Sequence, residues 1–233
     1  MRTTWLAAQY HFPSTYMCRM PMSNPLAARA LPTPGPATIR RALLRNAIEL
    51  FGIAATRDWL FPVIRAIPIR VQPPACVAIS RQPIRLYKGI FIQRRTQLQD
   101  AIGYREVATA DGLLMIYLHV GRDVAHAISE TLSLIASWGS ADSLTCCMHV
   151  AEAEPPTTVV VPLQSIHAAA TLRQRYIGLA TEFRDHDVTW AEIGADDTNE
   201  SSDAIASRLW VWPLSICEQH RNGMILRTSR SDV

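Results

Sequence analysis

The chain of 233 residues has almost no lysine: of its 23 basic side chains, all but Lys88 are arginine. GC-rich coding produces the same bias. Its chemical consequence stands regardless, because guanidinium suits two-pronged phosphate contacts and stacking on bases. Cysteines are few and follow no pairing pattern. Cys18, Cys76, Cys146, Cys147 and Cys217 are odd in number and form no C-x-x-C pair. That argues against a disulfide framework or a zinc ribbon and fits reduced thiols in a cytoplasm. No apolar run is long enough to span a bilayer, and the opening MRTTWLAAQYHF lacks the basic-then-apolar layout of a signal peptide. A soluble, cytoplasmic protein with no membrane partner is expected. Also missing are G-x-G-x-x-G, G-x-x-x-x-G-K, H-E-x-x-H and G-x-S-x-G, so the common nucleotide, zincin and hydrolase signatures do not apply. There is no internal repeat of fixed period and no low-complexity tract.

What is present is a charge asymmetry. Up to Ile116, fourteen arginines and Lys88 stand against five acidic residues; from Tyr117 onward, eight arginines face fifteen acids. The formal net charge of +3 hides this division. A basic half joined to an acidic half suggests a polyanion on one side and a different neighbour on the other. The length suits one large domain or two small ones with a sizeable core.

The stretch from Leu31 to Arg45 is the organising feature. Pro34 and Pro36 fix φ near the helical value, Gly35 can cap, and Pro36 suits a first helical position. Ile39, Leu43, Ala47 and Leu50 then recur on one predicted buried stripe. Arg40, Arg41 and Arg45 fall off its centre and are expected to face solvent or a partner. With the free N–H groups of the helix N-terminus they would make an anion site, phosphate being the natural anion. An amphipathic helix with solvated arginines is the simpler alternative.

Along the chain, Thr3 to Phe12 reads as a strand, and Ser14 to Met22 extends it or pairs back. The first helix stops near Gly52, a short helix around Thr56 to Phe61 ends at Pro62, and Val63 to Val71 alternates as a second strand. Residues 72–111 read as a long irregular insertion. Arg81, Arg85, Lys88, Arg94, Arg95 and Arg105 are interleaved there with Tyr87, Phe91 and Tyr104. Cations for phosphates and flat rings for unstacked bases are what a single-stranded nucleic acid requires. A solvated hairpin pinned by aromatics is the alternative. Leu113 to Val120 reads as a buried strand, Asp123 to Trp138 as a helix and Leu144 to Val150 as a fourth strand. The expected class is α+β, a ferredoxin-like (RRM-like) βαββαβ domain over 1–151. A smaller β-rich extension over 152–233 would carry strands at Thr157 to Leu163, Arg208 to Cys217 and Met224 to Thr228, the last two joined through an Asn222-Gly223 turn.

Other clusters are weaker as chemistry. Cys147 and His149 would share a strand face with Cys146 opposite, which favours packing over a metal site. Asp185-His186-Asp187 lacks the companion ligands of a phosphohydrolase and reads as a polar turn. His11, Tyr16, Tyr87 and Lys88 are acid–base types that an RNA-cleaving site would use, but each is more simply a packing or RNA-contact residue. No metal or cofactor is expected.

This order of elements resembles the RAMP superfamily of CRISPR-associated proteins, and more narrowly the Cas-five family of type I interference complexes (Cascade). The resemblance is carried by Pro32-Thr33-Pro34-Gly35-Pro36-Ala37-Thr38-Ile39-Arg40-Arg41-Ala42-Leu43, by Tyr104-Arg105-Glu106-Val107, and by the small-residue turn Trp138-Gly139-Ser140-Ala141-Asp142-Ser143. The insertion falls where that family carries a thumb-like hairpin. The resemblance implies a non-catalytic subunit that grips the 5′ handle of the guide crRNA and docks to the large and backbone subunits, with target DNA near the PAM end as a further partner. Arg40, Arg41 and Arg45 would hold phosphates, the insertion arginines and Lys88 would close over the strand, and Tyr87 or Phe91 would stack on bases. Some members of the family cleave precursor RNA without metal. A metal-independent endoribonuclease and a protein–protein adaptor therefore stay open as alternatives.

Overall fold

The computed structural model describes residues 2–23, 27–92, 95–139, 142–166, 172, 175–184, 188–193 and 204–228, with the backbone alone over 86–92 and 95–101. The chain opens with β1 (Thr3–His11), β2 (Cys18–Arg19), β3 (Ala27–Ala28) and β4 (Ala30–Leu31), followed by α1 (Pro36–Phe51). Then come α2 (Ile53–Ala55), a π-helical turn over Thr56–Leu60, α3 (Phe61–Ala66), β5 (Ile69–Gln72), β6 (Cys76–Ile92) and β7 (Arg95–Asp111). The rest is β8 (Leu114–Gly121), α4 (Ala125–Ser133), β9 (Cys146–Glu152), β10 (Val161–Pro162), a 3-10 turn over Leu163–Ser165, β11 (Arg175–Phe183), β12 (Ile205–His220) and β13 (Gly223–Thr228).

Two sheets organise these strands. In the first, β1 is flanked by β8 and β9, and β5 lies beyond β8; every neighbouring pair is antiparallel. The chain passes from β1 to β5 through α1 and from β8 to β9 through α4, and the two helices pack against each other. In the second sheet β10, β12, β13, β6, β7 and β3 follow in order, with β11 also paired to β12. Strands from both halves of the chain join one buried apolar cluster, in which Ile39, Leu43, Ile116 and Leu118 meet Trp212 and Leu226. Each fully buried side chain of this size contributes about 1.5–3 kcal/mol.

The predicted stripe on α1 is buried at Ile39, Leu43 and Ala47, but Leu50 is 39% exposed, because the helix end projects past the core. Gly52 ends α1 at φ +81°, and its N–H reaches the Ile48 carbonyl at 2.9 Å. The Pro-rich lead-in is enclosed rather than exposed. Residues 30–37 are buried, the Tyr16 hydroxyl donates to the Pro32 carbonyl (2.6 Å) and the Trp212 indole N–H to Thr33 Oγ1 (2.8 Å). A Cβ on Gly35 would lie 3.1 Å from the Ala180 Cβ, so β11 is seated directly against the cap. The N-terminus of α1 is thus covered by the second sheet rather than open, as an anion site there would require.

Six other expectations change. The helix after α1 does not end at Pro62: the π-helical turn over Thr56–Leu60 runs directly into α3, and Pro62 sits in its first turn. The turn out of helix comes at Ile67 (φ −60°, ψ 127°), since the residue before Pro68 is driven out of the helical region; the strand therefore starts at Ile69, not Val63. Residues 72–111 are not irregular: β6 and β7 form one continuous antiparallel ladder from Cys76↔Asp111 to Ile92↔Arg95. Pro83 is tolerated because β13 pairs β6 only as far as Ser80, leaving an edge beyond. Finally, α4 is shorter than Asp123 to Trp138, the strand over 157–163 shrinks to β10, and β11 arises in a segment that reads as mixed. Asp185-His186-Asp187, the run 194–202 and Ser140-Ala141 lie outside the described residues. No helix among the described residues is long and apolar enough to cross a membrane.

Candidate nucleic-acid interface

The three arginines of the first helix part company. Arg40 is buried, contrary to the outward placement its sequence position predicts. Its Nε donates to the Ile64 carbonyl (3.1 Å), Nη2 to the Ile67 carbonyl (2.9 Å) and Nη1 to Glu182 Oε1, while its guanidinium lies 5.7 Å from the Phe183 ring centroid. The side chain thereby satisfies the last carbonyls of α3 and ties α1 to β11. Burial lowers the Arg40 pKa against the pull of Glu182; it raises the Glu182 carboxyl despite the pull of Arg40 and Arg208. Guanidinium starts so high that it keeps its proton, so the contact is an ion pair. With Nε, Nη1 and Nη2 each donating within the protein, Arg40 is a packing residue rather than an outward-facing phosphate ligand.

Arg41 and Arg45 do come together. They line a hollow of about 190 Å³ with Thr38, Ser137 and Gly139, and Arg45 Nη2 donates to Ser137 Oγ at 3.1 Å. The Ser137 side of this hollow is tied to the base of the hairpin. Trp138 N–H donates to the Ser143 carbonyl, Met17 N–H to Ser143 Oγ (2.9 Å), and Tyr16 pairs with Ala108 of β7. Nothing in the chain's pattern marks Ser137, which reaches the arginines from the segment that follows α4.

On the hairpin, register divides the predicted residues between faces. Arg81, Arg85, Tyr87 and Phe91 occupy one face of β6, opposite Glu106, Ile102, Asp100 and Thr96. Lys88, Arg95 and Arg105 occupy the other. The first face continues outward from Val77, Ile79 and Ala108, which are buried in the core. Beyond them it becomes exposed: Arg81 and Arg85 stand clear, Ile102 is 74% exposed and Tyr104 is 50% exposed. The Arg81 guanidinium lies 5.9 Å from the Tyr104 ring centroid, which holds cation and ring as a unit. Glu106 anchors the base, accepting the Ala30 N–H at 3.1 Å and lying 3.7 Å from Arg29 Nε. Arg105 is half-buried on the other face, and Arg94 lies outside the described residues.

Among the acid–base types, the Tyr16 hydroxyl is committed to Pro32, and burial raises its pKa well above the usual phenol value. It is a packing residue. On β9 a bulge shifts the register from Gln9↔His149 to Tyr10↔Cys147, so Cys147 is half-buried while Cys146, Met148 and His149 are exposed. The bulge breaks the alternation that would put Cys147 and His149 on one face.

No protein-family profile matches the chain. It resembles the CRISPR-associated protein Cas5 of Archaeoglobus fulgidus, with 27% identity over 177 residues covering 74% of this chain and 76% of that protein. Among solved structures, a CRISPR protein from Archaeoglobus fulgidus aligns over 98% of this chain and 92% of its own, at 10% identity and a TM-score of 0.46. A chain of a CRISPR RNA-guided surveillance complex aligns over 99% and 93%, at 11% identity and a TM-score of 0.40.

Proposed function

We propose that the protein is a non-catalytic, RNA-binding subunit of a cytoplasmic type I CRISPR interference complex, holding the 5′ handle of the guide crRNA. The observation that carries this reading is the outer face of the hairpin, where Arg81 and Arg85 flank the exposed ring of Tyr104. Paired cation and ring on an extended ribbon suit an unpaired strand, phosphates to the guanidinium groups and a base to the ring. Arg41 and Arg45 form a second contact, linked to the hairpin base through Tyr16, Met17, Ser137, Trp138 and Ser143. The sequence similarity to Cas5 supports the same assignment. The order β5-β8-β1-β9 with its two crossover helices supports a ferredoxin-like reading of residues 1–151, with 152–233 as the extension that covers α1.

Docking to the large and backbone subunits is assigned to the apolar surface where α1 gives way to the next helix. Leu50, Ile53 and Trp59 are 39%, 52% and 45% exposed there. Incubation with repeat RNA in a chelator tests the whole reading. Intact RNA recovered bound to the protein is the expected result. A defined cut would establish the endoribonuclease instead, and absence of binding would leave an adaptor.

A further inference from the structure

A second basic site lies away from the hairpin. Between the start of β5, the end of β11 and β12 is a hollow of about 350 Å³ lined by Arg65, Arg70, Arg184, Arg208, Glu182 and Trp210. Arg40 also reaches it, so five guanidinium groups surround one carboxylate, and that carboxylate is held by Arg40. Two of the side chains that line it, Trp210 and Arg65, each carry a buried N–H with no acceptor among the described residues. The Trp210 indole Nε1 is orphaned although the residue is only 7% exposed, and Arg65 Nε is buried and unpaired as well. Buried N–H groups are almost always satisfied, and an orphan beside a cationic hollow marks where an acceptor belongs. Arg65 is held ready, with Nη1 on the Val188 carbonyl (3.1 Å) and its guanidinium 5.7 Å from the Phe61 ring centroid.

We propose that this hollow is an anion site that takes the phosphate of a nucleotide, held by Arg65, Arg70, Arg184 and Arg208 and by the indole N–H of Trp210. Donors converge from α3, β5, β11 and β12, and the one carboxylate among them, Glu182, is paired with Arg40, so the lining keeps a cationic excess that favours an anion, and guanidinium favours phosphate geometry. The volume matches the lower end of small-molecule sites, about 300–1,000 Å³, enough for a phosphate with its sugar. The phosphate comes either from a nucleotide within an RNA strand or from a free nucleotide. The site is independent of the hairpin and of Arg41 and Arg45.

Calorimetric titration of the full chain with inorganic phosphate, AMP and a short single-stranded RNA tests it. Phosphate and AMP bind the wild type at one site. Arg70→Gln with Arg208→Gln, both exposed side chains, weakens AMP about tenfold or more, and Trp210→Phe weakens it by removing one donor while keeping the ring. Displacement of AMP by RNA identifies a strand phosphate as the ligand; AMP binding that RNA leaves unchanged identifies a free nucleotide. Both outcomes support the site. No binding of phosphate or AMP to the wild type overturns it, and so does unchanged affinity in the double variant. Should that variant fail to fold, unchanged affinity in Trp210→Phe overturns it. Arg41→Gln with Arg45→Gln separates the two assignments: RNA affinity intact in that variant, with AMP still bound, counts against the proposed helix contact and leaves this site standing.

Discussion

Tyr176 packs edge-on against Trp212, with its hydroxyl 3.5 Å from the Ala30 carbonyl, and burial pushes its pKa up to about 12. A phenol whose folded pKa is raised stabilises the fold fully below its unfolded pKa near 10. That contribution is lost as pH rises from about 10 toward 12, because the unfolded chain gives up its proton first. Urea unfolding at pH 9 and pH 11.5 should therefore show a loss that shrinks by up to about 2–3 kcal/mol in Tyr176→Phe; an equal loss in both proteins would contradict this. Thiols divide in the same way. Cys18 is buried and its pKa is driven far up, whereas Cys146 and Cys217 are exposed. A thiol reagent at neutral pH should modify Cys146 and Cys217 in the native protein and reach Cys18 only after unfolding. Arg40→Ala leaves the half-buried Glu182 without its hydrogen-bonded partner and should cost about 3 kcal/mol by urea titration, while Arg41→Ala should cost far less.

At the scale of elements, local chemistry and long-range packing divide the legibility of this chain. Chain-local signals placed α1, β1 and β8 closely: proline at the first turn, Gly52 at the end, a continuous apolar run at Leu114 to Val120. Pro83, Gly89 and Gly103 interrupt any strand pattern within residues 72–111, and only the pairing of β6 with β7 makes the ladder continuous. Arg40 was misplaced because a position just off the stripe centre still faces protein once β11 covers the helix. No sequence pattern announces that covering, since β11 lies some 140 residues away from its contacts. The lead-in is the joint between these parts. Trp212→Phe removes the indole donor to Thr33 Oγ1 and should lower stability by about 1–2 kcal/mol in thermal or urea unfolding; an unchanged midpoint would mean that the contact is dispensable.

At the scale of the whole molecule, the acidic half of the chain covers the basic half's first helix and leaves the hairpin to reach outward. Residues 1–151 alone would expose Leu31, Ala37 and the Gly35 cap that β11 and β12 enclose. Such a fragment should melt without the cooperative transition of the full chain, and a fragment that unfolds cooperatively at the same temperature would contradict this. Under the proposed function, the charge division separates a packed side from a strand-holding one. The central claim is that exposed arginines on the hairpin and on α1 hold one unpaired strand through its phosphates. The most direct measurement is the affinity for single-stranded repeat RNA as a function of salt, for the wild type, Arg41→Gln/Arg45→Gln and Arg81→Gln/Arg85→Gln. Each pair should weaken binding and make the log–log salt slope shallower by about 1.4, at about 0.7 per lost phosphate contact. Unchanged affinity and slope in both pairs would contradict the account.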